Sequence, residues 1–498
     1  MNSSEKKRFN SLALPWLSPE PLTFEPASIK MPPEQLFDLL NPEPHEHLLL
    51  SGGRHPLSRY SFIGLDPFLV VTAIAKKIII TQLPSNREEE IHADPFEFLR
   101  YLLLTYRLDP KEGVPPFWSG GIGYLAYELG RHIEKLPASA TDDLFLPELY
   151  FTFYRSILCY HHAEKSYRLY TRTLMATDNK RENSDIGTAH QRIEQLVDTN
   201  YQEKARQQST LPLNLKSHFQ QSDYINTILQ ALNYIEEGDI YQVNLSQRFH
   251  TLYDGDAYGL FLKLYQINPA PFFAYLNAGS FRIVCSSPER FLYVNGREVE
   301  TRPIKGTLPR GSSLAEDQAN AQGLVQSEKN RAELAMIIDL LRNDLGRVSA
   351  YGSVYVDEPA RLETYTNVFH LVSVIKSTLA ANADNIDLLR ATFPGGSITG
   401  CPKIRSMEII DELEPTVRSV YTGSIGYLCW DGTMDLNIAI RTLILKDRDL
   451  YCQVGGGIVY DSDPLSEYEE TLHKAASIKE ALACTVGTIT ENGGFTDK

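Results

Sequence analysis

Strand patterns dominate this sequence, and they do not alternate with helices. RYSFIG (Arg59 to Gly64), FLVVTAIA from Phe68 and KKIIITQL from Lys76 read as strands, and YQVNLSQRF from Tyr241 alternates apolar and polar residues. Only a few segments carry helical spacing. Asp94 and Pro95 form a cap and first turn ahead of Phe96, Leu99, Leu103 and Leu104. Ser222 is placed to cap a helix with Ile225, Ile228, Leu229, Leu232 and Ile235 inward, ended by Gly238. Leu334, Ile338, Leu341, Leu345 and Val348 share another face. Asp463-Pro464 opens a last helix that turns Tyr468, Leu472, Ala475 and Leu482 inward. With no regular βαβ alternation, the expected class is α+β: a largely antiparallel sheet core flanked by helices.

A polar run from Thr177 to Asp223, with RIEQLV as a short helix inside it, reads as a connector. It divides the 498 residues into an N-terminal lobe, 1–205, and a second domain, 206–498. Lys and Arg total 48 against 63 Asp and Glu, a formal charge of −15. That disfavours nucleic acid and membrane surfaces as partners, since phosphate neutralisation needs a basic face. None of the six cysteines is spaced C-x-x-C, so neither a zinc ribbon nor a disulfide framework is expected, and a reducing compartment is. The apolar run Leu12 to Leu17 contains Pro15, and FLVVTAIA stops at Lys76-Lys77, so neither makes a leader or a span. The expected location is cytoplasmic.

Several motifs could carry chemistry. PGGSITGCPKIRSMEII, from Pro394, sets three glycines before a helix, a loop whose backbone N–H groups favour an anion. A ligand-free glycine turn is the bland alternative. TRPIKGTLPRG fixes an irregular backbone around Lys305, and an ammonium desolvated there is freed as a nucleophile or base. A solvated turn lysine is the commoner case. Glu467 and Glu470 lie three apart on one helix and Glu333 flanks a buried stripe, so together they suit a hard cation. Taken alone, Glu467, Glu469 and Glu470 read as a solvated helix start. Arg441 in the apolar strand NIAIRTL needs an anionic partner, and Gly455, Gly456 and Gly457 allow close backbone approach. GGIGYLAYELG at Gly120 echoes GSIGYLCWDG at Gly423.

The order of these blocks changes their weight. DIYQVNLSQRF, SSPERF, TRPIKGT, RAELAMIIDLLRNDLGRV, HLVS, FPGGSITGCPK, GYLCWDG, NIAIRT, QVGGGIV and the closing E-Y-E-E-T-x-x-K resemble, in sequence, the chorismate-utilising enzymes. That family includes component I of anthranilate synthase, component I of aminodeoxychorismate synthase, and the isochorismate and salicylate synthases. The resemblance is strongest from Ser222 onward. SRYSFIG and GGIGYLAYE are similar to the first lobe of the two amine-adding branches.

The resemblance implies a two-lobed fold with the dianion chorismate in the second lobe and Mg2+ on its ring carboxylate. It implies Glu333, Glu467 and Glu470 as metal ligands. Thr399, Lys403, Tyr427, Arg441 and the Gly455, Gly456 and Gly457 backbone would bind the carboxylates, with His370 near the reacting ring. Gln242 stands where isochorismate-forming members place a water-activating lysine, and a glutamine cannot be a general base. Lys305 stands where anthranilate synthases typically carry alanine, and resembles the covalent nucleophile proposed for aminodeoxychorismate synthases. Glu289 would protonate the leaving hydroxyl. No stretch offers a glutaminase's cysteine elbow, so ammonia would come from free ammonium or from a separate glutamine amidotransferase subunit, as the resemblance implies. Departures from the pattern include Cys401 before Pro-Lys, Asn330 in an often acidic place, and Leu50 where feedback-inhibited anthranilate synthases carry Glu before Ser51. The last of these favours the branch that aminates at C4, although Ser51, Arg59, Tyr60 and Ser61 would still frame a tryptophan pocket. The alternative is the anthranilate synthase branch. A non-catalytic relative is disfavoured by the full set of expected ligands.

Overall fold

The computed structural model describes residues 3–486, apart from Glu20, 27–28, Arg54, 176–187 and Asp198. The first part of the expected connector lies outside the described residues. RIEQLV falls at the end of the helix Thr188–Glu194.

Two long strands organise the molecule. Tyr60–Ile74 and Leu149–His161 pair antiparallel along their length, from Tyr60 opposite His161 to Ala73 opposite Leu149. RYSFIG and FLVVTAIA are therefore one strand and not two. Between them Asp66 takes a φ of 50° and the register slips between Pro67 and Leu69. A bulge of this kind bends a strand without ending it. Asp66 is buried at the bend and accepts hydrogen bonds from Ser156 Oγ and the Ala189 N–H.

Each end of the bent pair feeds an antiparallel sheet. From the Tyr60 end the ladder runs through His47–Leu50, Phe272–Asn277, Phe281–Ser287, Thr442–Lys446, Asp449–Ile458 and Gln242–Leu252. From the Leu149 end it runs through Gly120–Leu125, Ser424–Cys429, Met434–Asn437, Arg290–Asn295, Glu298–Arg302 and Val368–Thr378. Ile304–Pro309 and Tyr355–Thr364 flank that last strand. The expected α+β class with an antiparallel core is observed. Ladders from His47–Leu50 and Gly120–Leu125 join the two halves of the chain. The two echoing segments are those last neighbours, with Gly123 opposite Gly426. A Cβ on either glycine would come within 2.0 Å of a carbonyl oxygen on the adjoining strand. Buried apolar side chains from both halves meet in two large clusters, in one of which Trp430 stacks on Phe153 at 4.7 Å.

The helices form where caps and spacing place them, with local shifts. Asp94 caps Pro95–Thr105, accepting from the Phe96 and Glu97 N–H groups. Its buried face is Phe96, Phe98, Leu99 and Leu102, and Leu104 is exposed. The helix Gln221–Glu236 starts one residue before Ser222 and buries Tyr224, Thr227, Ile228 and Ala231. Leu229 is left exposed, because an apolar side chain at helical spacing can still fall on the rim of the stripe. Ser327 caps Glu328–Gly346. The last helix is two helices, Pro464–Lys474 and Ala476–Thr485, hinged at Ala475. In the first of these Glu467 and Thr471 are buried, and Tyr468, half-buried, packs against the core beside Tyr224. Among the described residues no helix is long and apolar enough to cross a membrane.

Candidate active site

Four segments bring the chemistry together. On Ile304–Pro309, Gly306 at φ 76° makes a bulge that shifts the register between Lys305 and Thr307. Such a bulge re-aims side chains. The Lys305 ammonium donates to Glu333 Oε2 at 2.9 Å, on the helix Glu328–Gly346. Thr307 Oγ1 lies 2.8 Å from His370 Nδ1 on the neighbouring strand.

The glycine run supplies the facing wall. A Cβ on Gly457 would lie 2.8 Å from Lys305 Nζ and 3.0 Å from Gln242 Nε2, so bare backbone is what admits both side chains. Gly456 points to the other face, toward Glu467 and Glu470. Gly455 closes against the strand Gln242–Leu252, where a Cβ would stand 2.4 Å from the Leu245 carbonyl oxygen.

Glu289 is buried, and Ser397 Oγ donates to its Oε1 at 2.6 Å. Burial pushes its pKa up to about 7, opposed by that bond, by the Ile304 N–H and by the charges of Lys305 and Arg441. His370 is pushed down to about 3 by burial, with the Arg441 charge adding, so its ring is neutral at pH 7. Burial likewise lowers the Arg441 guanidinium, opposed by Tyr365 and Glu289.

Several of these groups lack partners. Among the described residues both amide atoms of Gln242 and Nε2 of His370 are buried without a hydrogen bond, and no protein carboxylate pairs with Arg441. Buried polar atoms are nearly always satisfied, so this cluster has the character of a site for a polar, anionic ligand. Together these groups offer an amine, a carboxyl near the midpoint of its titration at pH 7, a neutral imidazole and a guanidinium without an ion pair among the described residues.

Three expected substrate contacts lie elsewhere. The Lys403 ammonium is held by Asp344 and by the Thr392 carbonyl, across the helix Glu328–Gly346. The Thr399 hydroxyl donates back to the Gly395 and Gly396 carbonyls and fixes its own loop. Tyr427 falls on the other face of Ser424–Cys429, where its ring stacks on Phe117 at 4.6 Å. There it joins Ser51, Arg59 and Tyr60 around a second cavity of about 540 Å³, with Pro271 and Asp435. Ser61 is behind that wall and accepts from the Ser51 N–H at 3.0 Å.

The three expected metal ligands are partly assembled. Glu467 and Glu470 approach one face of Gly456, and burial together with the charge of Glu470 raises the Glu467 pKa. Each is engaged, Glu467 by Ser462 Oγ at 2.7 Å and Glu470 by Lys474 at 2.7 Å, while Glu333 is turned to Lys305. Among the described residues no three metal-binding side chains converge as placed. The donor set itself, three carboxylates of which two crowd each other, is chemically suited to a hard dication.

Sequence reasoning passed over two supports of the site. Ser397 and Thr307 stand inside the motifs GGSITG and IKGT, and a hydroxyl in such a loop is the visible signal for each.

A family model described as chorismate binding enzyme matches residues 48–480. Aminodeoxychorismate synthase component 1 of Escherichia coli is 39% identical over 451 residues, 90% of this chain and 96% of that protein. Anthranilate synthase component 1 of Acetivibrio thermocellus is 37% identical over 441 residues, 86% of this chain and 88% of that protein. Among solved structures, anthranilate synthase component I from Streptococcus pneumoniae superposes with a TM-score of 0.72 at 31% identity, covering 85% of this chain and 92% of that one. The menaquinone-specific isochorismate synthase of Escherichia coli shares the fold, with a TM-score of 0.68 at 16% identity over 96% of this chain and 98% of that one.

Proposed function

The chain belongs to the chorismate binding enzymes, and from that premise we propose that it aminates chorismate at C4 as an aminodeoxychorismate synthase component I. The observation that carries the reading is the placement of Lys305 Nζ against the bare Cα of Gly457, beside an unpartnered Gln242 amide. That pairing supplies a nucleophilic nitrogen and no base for water.

In the proposed reaction the Lys305 amine, deprotonated at the moment of attack, bonds to C2 of chorismate. Both ring double bonds shift, C1=C2 to C1=C6 and C5=C6 to C4=C5, and the C4–O bond breaks. Glu289 gives its proton to the departing hydroxyl, which leaves as water, and a pKa of about 7 suits a carboxyl to that task. Ammonia then adds at C4, both double bonds shift back, and the C2–N bond to Lys305 breaks. The product is 4-amino-4-deoxychorismate with its enolpyruvyl ether intact. Arg441 holds a substrate carboxylate, and His370, neutral and open at Nε2, faces the ring.

Mg2+ is part of the proposal. Glu467 and Glu470 would hold it, joined by Glu333, and it would neutralise a substrate carboxylate. The ammonia would come from a glutamine amidotransferase subunit, and the location would be cytoplasmic. Division into lobes 1–205 and 206–498 also remains a proposal. The cavity at Ser51, Arg59 and Tyr60 is the proposed tryptophan pocket.

The test incubates the protein with chorismate, Mg2+ and ammonium, with and without an aminodeoxychorismate lyase. The expected result is 4-aminobenzoate only when the lyase is present. Anthranilate and pyruvate formed without it would overturn the reading in favour of the anthranilate branch.

A further inference from the structure

His370 is steadied from the N-terminal half of the chain. Its Nδ1 is tied to Thr307, and the edge of its ring meets Tyr365, centroids 5.0 Å apart at 76°. The Tyr365 ring is in turn covered by His55, stacked at 5.0 Å and 24°. His55 belongs to the loop between His47–Leu50 and Tyr60–Ile74, 315 positions before His370 by their numbers, 370 − 55. Its Nδ1 accepts from the Leu57 N–H at 3.2 Å, which leaves the Nε2 proton for Glu363 Oε2 at 2.9 Å. Tyr365 donates its hydroxyl to the same Glu363 oxygen at 3.2 Å. Glu363 is opposite His370 in the ladder, and its other oxygen faces Arg302 at 3.6 Å and Arg361 at 3.7 Å. The His55 and Glu363 side chains are only 5% and 4% exposed, so the contact is shielded from water.

Resting on the reading proposed above, we infer that His55 is a positioning residue for the reaction, acting through Glu363 and Tyr365 to fix the His370 ring at the substrate. Stacking alone leaves Tyr365 free to slide. The shared Glu363 oxygen locks its hydroxyl to the His55 N–H, and the locked ring leaves His370 one orientation. An error of about 1 Å in such a group is enough to cost ~10²-fold in rate.

The test measures chorismate consumption in the full chain, a readout indifferent to which amine product forms. His55→Phe keeps the stacking face and removes the donor. We expect kcat to fall about 10-fold with KM within ~2-fold. His55→Gln, which restores an N–H donor, should recover most of the loss. In a His370→Ala background His55→Phe should cost less than ~2-fold, because the group it positions is gone. An equal loss in both backgrounds, a loss confined to KM, or no loss at all overturns the inference. If His55→Phe does not fold, Tyr365→Phe, which removes one hydroxyl, enters the same cycle with the same expected and overturning outcomes.

Discussion

Lys305 Nζ stands 2.9 Å from Glu333 Oε2, and the same nitrogen faces the bare backbone of Gly457. An amine in that corner is held on one side by a carboxylate and left open on the other. Removing it takes away the proposed nucleophile without opening the core, since Lys305 is an edge residue of a bulged strand. Lys305→Ala should lower formation of the aminated product by ~10²-fold or more. Intact-protein mass spectrometry with chorismate and no ammonia should show an adduct of chorismate less water on the native chain and none on the variant. Unchanged turnover in Lys305→Ala would sink the nucleophile role.

Glu289 titrates near 7 in the folded protein because it is buried, despite the Ser397 hydroxyl and two nearby cations. A general acid must hold its proton to act. The Glu289 proton should therefore be lost as pH rises through about 7, giving the activity a falling limb there. Glu289→Gln should cost ~10²-fold or more in kcat and abolish that limb. A variant that keeps the native pH profile would assign the limb to another group.

Much of this arrangement was legible in the chain itself. The antiparallel α+β core follows from alternating strands. Arg441 and the Gly457 backbone are marked by residue type, whereas Gln242, Glu289, Lys305 and His370 draw their weight from the resemblance. Where sequence reading failed, a tertiary partner decided the outcome. Lys403 is a cation beside a glycine loop, but Asp344, 59 positions earlier, claims it. Tyr427 alternates along its strand to the opposite face, which period alone cannot assign to a cavity. Two apolar runs look like two strands because a kink at Asp66-Pro67 carries the polar residue that usually marks a turn. His55 and Glu363 give no local signal, since their meaning exists only in contact.

Arg441 predicts a binding defect. Its guanidinium is half-buried and makes no ion pair among the described residues, and burial lowers its pKa, so an anion is the missing partner. Arg441→Ala should raise KM for chorismate by ~10- to 100-fold, the scale of a charged hydrogen-bonded pair. Because the substitution removes a half-buried charge that makes no ion pair among the described residues, Tm should change little. A fall in Tm with KM unchanged would make Arg441 a structural residue.

His370 links the site to stability. Its pKa is about 3 in the folded chain against an ordinary 6.5, so the folded state excludes a proton that the unfolded state accepts. Its contribution is complete above pH 6.5 and is lost as pH falls toward 3, with a slope of at most ~1.4 kcal/mol per pH unit. His47, lowered to about 3, and His162, lowered to about 4, act with the same sign. In urea denaturation between pH 6.5 and 4, His370→Gln should flatten part of the slope. An identical slope would show that His370 is already protonated in the folded state.

The glycine run separates folding from function. Gly455 and Gly457 lie on one face of the same strand, two residues apart, yet a methyl group meets different neighbours at each. At position 455 it would lie 2.4 Å from the Leu245 carbonyl oxygen, so the ladder to Gln242–Leu252 must part. Gly455→Ala should cost ~1–3 kcal/mol and lower Tm. At position 457 the nearest atoms are the ends of Lys305 and Gln242, which can swing aside. Gly457→Ala should therefore melt near the native temperature while losing ~10- to 100-fold in kcat, because the amine is pushed off its line of attack. Thermal melts and steady-state rates on both variants distinguish the cases. Full turnover in Gly457→Ala would mean that the Lys305 nitrogen does not react from the place it occupies here.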